Sequence, residues 1–147
     1  MPLLNNPYAL VATTSLAIQI IVLFLLTYGY MLKRRGVFQR HGFVMATALF
    51  VHLAFVFGIM IPSFVVAIFP EYVAVHVYDL TSIVSLIHVP LGALALSLGV
   101  WLVASWRFHD VKGCFKKKRI MLTTMAIWLV SLSFGIALYT ILYWAVL

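Results

Sequence analysis

Four apolar runs dominate this chain, at Tyr8–Leu32, Phe43–Phe69, Thr81–Trp106 and Ile120–Val146. Each exceeds the ~20 residues that a helix needs to cross the hydrocarbon core of a bilayer. No water is present in that core to satisfy backbone N–H and C=O groups, so the runs are expected to be helical. They lack the polar–apolar alternation of a membrane β-barrel. The expected fold class is therefore all-α, with residues 1–147 forming a single transmembrane domain of four spans. Composition agrees, because 65% of the residues are hydrophobic and only 9% are charged, too few charges to cover a water-soluble surface.

The net charge of +7 resembles a nucleic-acid signal until the charges are placed. All ten basic residues fall in two links: Lys33, Arg34, Arg35 and Arg40, then Arg107, Lys112, Lys116, Lys117, Lys118 and Arg119. The link Pro70–Leu80 holds Glu71 and Asp79 and no basic residue. By the positive-inside rule, the links 33–41 and 107–119 are cytoplasmic and both termini lie outside. The expected architecture is an antiparallel four-helix bundle in the cell membrane, with the lipid bilayer rather than nucleic acid as its surroundings. No basic segment precedes the first run, which reads as a retained span and not a cleaved signal. Asn5, Asn6 and Pro7 make a helix-start signal before that span. Tyr28, Tyr30, Trp101, Trp106, Tyr143 and Trp144 lie near span ends, where amphipathic rings favour the interface. Pro62 and Pro90 fall within spans and free the carbonyls of Gly58 and Leu86.

The chemistry available is narrow. The single cysteine, Cys114, permits no disulfide within the chain, no CxxCH haem attachment and no cysteine-based zinc site. None of the three carboxylates lies within a span, which disfavours a carboxylate-driven transporter or channel. No phosphate loop, HExxH or nucleophile elbow is present. Gln19 is the one amide deep in a span.

The histidines carry most of what remains. His52 and His88 lie inside spans, and an imidazole at membrane depth merits a functional hypothesis. Counting from His88, Gly92, Ala95 and Gly99 share one helix face. A histidine above a column of small residues suits haem b, with His52 and His88 as candidate axial ligands and the column lining the macrocycle. Depth weakens that pairing: measured from Gly42 and Ser105, His52 sits about 15 Å up and His88 about 25 Å up. The alternatives are one axial histidine with an open or other sixth ligand, or two sites: an outer one of His88 with His76, and an inner one of His41, three turns before His52, with His52 or His109. His76 with Glu71 and Asp79 is a weak candidate for an outer metal site. The competing reading is structural. The histidines then act as hydrogen-bonding glue, and Gly92, Ala95, Gly99, Ser131 and Gly135 form packing seams. In that reading His41 and His109 are interfacial. The basic run ending at Arg119 reads mainly as a topology determinant, with some attraction for anionic lipid.

RHGFVM at Arg40–Met45, His52, Ile87–His88, CFKKKRIM at Cys114–Met121, and Trp128, Gly135 and Tyr139 together resemble a known family. These are the small prokaryotic four-helix membrane proteins of domain-of-unknown-function family 420. The likeness runs from about Arg40 onward; the first span shares only its hydrophobicity and basic end. It implies association with respiratory membranes and, through some bacterial relatives, with assembly of haem-containing cytochrome oxidase. It assigns no catalytic residue. Bacterial relatives often carry histidine in the last cytoplasmic link, where this chain is rich in lysine.

The expected function is a haem-b-binding or haem-handling accessory protein of a respiratory chain, passing electrons between a quinone and a partner. The alternative is a cofactor-free assembly factor or small structural subunit. Other membrane subunits or a second copy are the expected protein partners.

Overall fold

The computed structural model describes residues 7–105 and 116–143, and every regular element among them is helical. Four long helices are present: α1 (Pro7–Arg34), α2 (Phe38–Val73), α3 (Leu80–Ala104) and α4 (Lys118–Tyr143). Each is long and apolar enough to cross a membrane, as a multi-pass membrane protein requires. Only 11–22% of each apolar window is buried within the chain, so most of the apolar surface faces outward. Phe24, Phe43, Phe50 and Val66 are among these outward side chains. Surface of that kind is stable against lipid and not against water.

Spans one and two meet sooner than the sequence indicates. The expected basic link 33–41 contracts to a turn at residues 35–37, with Lys33 and Arg34 ending α1 and Arg40 and His41 already inside α2. Gly36 makes this turn possible. With φ at 77° it accepts the left-handed conformation, while its N–H bonds Lys33 O and the N–H of Val37 bonds Leu32 O. Those two bonds are the Schellman pattern that satisfies the last carbonyls of a helix.

The second span also runs further than expected, to Val73 rather than Phe69, with Pro70 inside it. Its C-terminal half switches to wider i→i+5 turns at Val56–Met60 and Phe64–Val73. The first widened stretch ends two residues before Pro62 and the second contains Pro70. A π turn re-seats the carbonyls that a proline would otherwise orphan, which is how a spanning helix accommodates the residue. By contrast, α3 remains an unbroken α-helix through Pro90. Trp106, the expected end of span three, and Trp144 and Val146 of span four lie outside the described residues.

α1 pairs mainly with α2 and α3 mainly with α4, and the two pairs meet along narrower seams. α1 and α4 meet near both of their ends. Thr13 and Tyr139 share a hydroxyl bond of 2.9 Å, while Lys33 at the other end of α1 reaches Met121 at the start of α4. The core lies where all four helices converge: Val22 and Leu26, Ala48 and Leu49, Ala95, and Trp128. Ala48 and Ala95 are small enough to let the backbones approach, and Trp128 is buried in the same cluster.

Candidate functional site

Among the described residues three imidazoles enter the bundle, and each directs Nδ1 to a neighbouring helix. His41 in the first turns of α2 lies 2.7 Å from Gly29 O of α1. His88 on α3 lies 2.8 Å from Ser131 O of α4. A carbonyl only accepts, so in both pairs Nδ1–H donates and Nε2 keeps its lone pair. His52 is arranged the other way. Gln19 Nε2 on α1 donates to its Nδ1 across 3.1 Å, which places the ring proton of His52 on Nε2.

His41, a candidate for an inner site and an interfacial residue in the structural reading, is buried between helices, at 6% exposure. The cause is the short turn at Gly36, which lays the end of α1 over the start of α2 and brings Gly29 O to the ring. Close approach is part of this contact: a Cβ added at Gly29 would meet Met45 Sδ at 2.8 Å.

His52 and His88 meet the same stretch of α4. The ring of His52 packs on Trp128 with centroids 4.6 Å apart. His88 reaches Ser131, one turn further on, and its ring lies where a Cβ on Gly135 would come within 3.1 Å of Cε1. Their contacts on α4 are thus offset by roughly one helical turn, ~5 Å, less than the ~10 Å anticipated from span edges.

The small-residue column below His88 is filled by this chain's own side chains. A Cβ on Gly92 would lie 3.2 Å from Ser131 Oγ, and one on Gly99 would lie 3.1 Å from Leu49 Cδ1 and 3.8 Å from Trp128. Ala95, between them, is 2% exposed. A cavity of about 80 Å³ does open nearby, bounded by Leu49, Gly99 and Trp128 and extending toward Lys33 and Met121. It holds several water-sized groups. Pockets for drug-sized ligands run to about 300–1,000 Å³, and a macrocycle does not fit this one. With Leu49, Trp128 and Ser131 as they stand, the residues present do not accommodate haem against Gly92, Ala95 and Gly99.

Comparison with known proteins gives no match: no family model, no curated protein and no solved structure matches the chain.

Among the described residues, no three His, Cys, Asp or Glu side chains gather in a group able to hold a metal. Glu71, His76 and Asp79 therefore do not assemble the outer site. Glu71 ends up within the helical extension of α2, whereas His76 and Asp79 sit in the turn before α3. His109 and Cys114 lie outside the described residues.

Sequence reasoning noticed Gln19 but not its role. A lone amide at membrane depth has few places to spend its N–H groups, and Gln19 bonds His52 and also lies 3.7 Å from Met60 Sδ. Ser82 and Ser85, about two turns and one turn before His88, were not singled out. Both are fully buried, and their hydroxyls have no protein partner among the described residues. Their small size and spacing of three are signals of a packed helix face.

Proposed function

We propose that this chain is a cofactor-free accessory protein of a larger membrane complex, an assembly factor or small structural subunit. It is built as an antiparallel four-helix bundle with both termini outside. The observation that supports this reading is that the buried imidazoles are bonded between helices. His41, His52 and His88 each pin two helices together, and Leu49, Trp128 and Ser131 fill the glycine column. The outward apolar faces suit lipid and neighbouring spans. Orientation in the cell membrane, with the basic links cytoplasmic, rests on the charge bias between links. The likeness to family 420 points the same way, toward assembly within respiratory membranes.

Haem handling is the second reading, and one feature favours it. Donation of Nδ1–H to a carbonyl leaves Nε2 of His88 free, the orientation in which histidines commonly bind metals. Haem b, with electrons passing between quinone and a partner, would require Trp128 and Ser131 to withdraw from the column. The visible spectrum of protein purified in mild detergent from haem-supplied cells separates the two readings. A colourless preparation supports the accessory role. A Soret band that shifts on reduction and disappears in His88→Ala overturns it in favour of haem.

A further inference from the structure

The cavity in the basic half of the bundle has a polarity that the packing role does not use. It runs from Lys33, Tyr30 and Met121 at the helix ends to Leu49, Gly99 and Trp128 in the core. Lys33 and Met121 lie seven residues from Leu26 and Trp128 on their own helices, so the slot is roughly 10 Å deep. Tyr30 and Leu122 are partly exposed, whereas Leu49 and Trp128 are buried, so the slot opens at the basic end and closes at the core. Its walls are almost wholly apolar, with the flexible thioethers of Met45, Met121 and Met125 among them.

One cation guards the opening. Lys33 is partly buried, and the one hydrogen-bond partner of its ammonium among the described residues is the thioether sulfur of Met121, at 3.3 Å. A thioether is a weak acceptor and leaves the charge uncompensated. Lys117, by contrast, is engaged by Ser105 O at 2.8 Å, by Ser105 Oγ at 2.7 Å and by the Trp101 ring. No described carboxylate is at hand either, because Glu71 and Asp79 lie at the opposite end of the bundle. Arg34, Arg35, Arg40, Lys116, Lys118 and Arg119 surround the same end and reinforce the positive potential.

We infer that this slot binds an anionic membrane lipid, its phosphate headgroup on Lys33 and the end of one acyl chain between Met125 and Trp128. A cation at the rim of a narrow apolar slot matches an amphiphile whose charge and chain are joined, and neither half alone uses both features. The bound lipid closes the seam between the α1–α2 pair and the α3–α4 pair, where the helices pack least extensively.

The test is thermal unfolding of the full chain in a neutral mild detergent, titrated with short-chain phosphatidylglycerol, short-chain phosphatidylcholine or inorganic phosphate. Phosphatidylglycerol raises the midpoint saturably, phosphatidylcholine does so only weakly, and phosphate does nothing. Lys33→Met, which keeps the stem and removes the charge, weakens the apparent phosphatidylglycerol affinity by about fivefold. Arg35→Gln, on the exposed turn and outside the slot lining, weakens it by less than about twofold, because it adds only to the diffuse potential. Met125→Trp fills the slot and removes the saturable response; should that variant not fold, Lys33→Met against Arg35→Gln decides alone. Equal stabilisation by both lipids, an effect of phosphate alone, or equal losses in Lys33→Met and Arg35→Gln overturns the proposal, because each reduces it to unspecific surface attraction.

Discussion

His88 donates Nδ1–H to the backbone carbonyl of Ser131 across 2.8 Å, while the hydroxyl of the same serine lies 3.4 Å from both His88 Nδ1 and His88 O. The short bond is to backbone and the long ones are to the side chain. Removing the imidazole therefore costs more than removing the hydroxyl. His88→Ala is expected to lower stability by about 1–2 kcal/mol, from the lost bond and the space vacated beside Gly135. Ser131→Ala is expected to cost under about 0.5 kcal/mol, since the carbonyl stays. Reversible unfolding in detergent measures both; equal losses would mean that the serine hydroxyl carries the contact.

The Gln19–His52 pair joins α1 to α2 through side chains alone, so a double-mutant cycle isolates it. Gln19→Leu and His52→Phe are expected to show a coupling of about 0.5–1.5 kcal/mol, the range of hydrogen bonds between membrane helices. Strict additivity of the two substitutions would show that the bond contributes nothing beyond its neighbours' packing.

Gly99 and Gly58 offer a paired test of the seam. A side chain at Gly99 meets Leu49 Cδ1 and Trp128, while one at Gly58 meets nothing within 4 Å. Leu49 can rotate away from a single methyl group, so Gly99→Ala is mild. Gly99→Leu overpacks the core and is expected to cost about 1–3 kcal/mol. Gly58→Ala is expected to be neutral or to stabilise by up to about 1 kcal/mol, through the unfolded chain. Thermal midpoints of the three variants check the order.

Gly36 is constrained by backbone and not by neighbours, since nothing lies within 4 Å of an added Cβ and φ is 77°. Gly36→Ala is expected to cost about 1 kcal/mol and Gly36→Asn less, because asparagine tolerates the left-handed region better. Equal midpoints for the alanine and asparagine variants would contradict a turn held by that dihedral.

The sequence by itself determined that the chain is helical and that four of its helices can span a membrane. Run length and the absence of charge settle that, because a backbone in hydrocarbon has almost no other state available. Deep imidazoles and a glycine face were equally visible in His52, His88, Gly92 and Gly99. What faces those residues was not, since helical periodicity places a side chain on a face without saying which helix lies opposite. Only the tertiary structure decided that Gln19 meets His52, that Ser131 O meets His88, and that Leu49 and Trp128 occupy the column where a flat ligand had been expected. The span boundaries moved for local reasons: Gly36 closed a turn that charge alone made look like a nine-residue link, and π turns carried α2 past Pro70. His41 changed most. Its burial follows from that tight turn, a long-range consequence of one left-handed dihedral, and pattern along the chain holds no record of it.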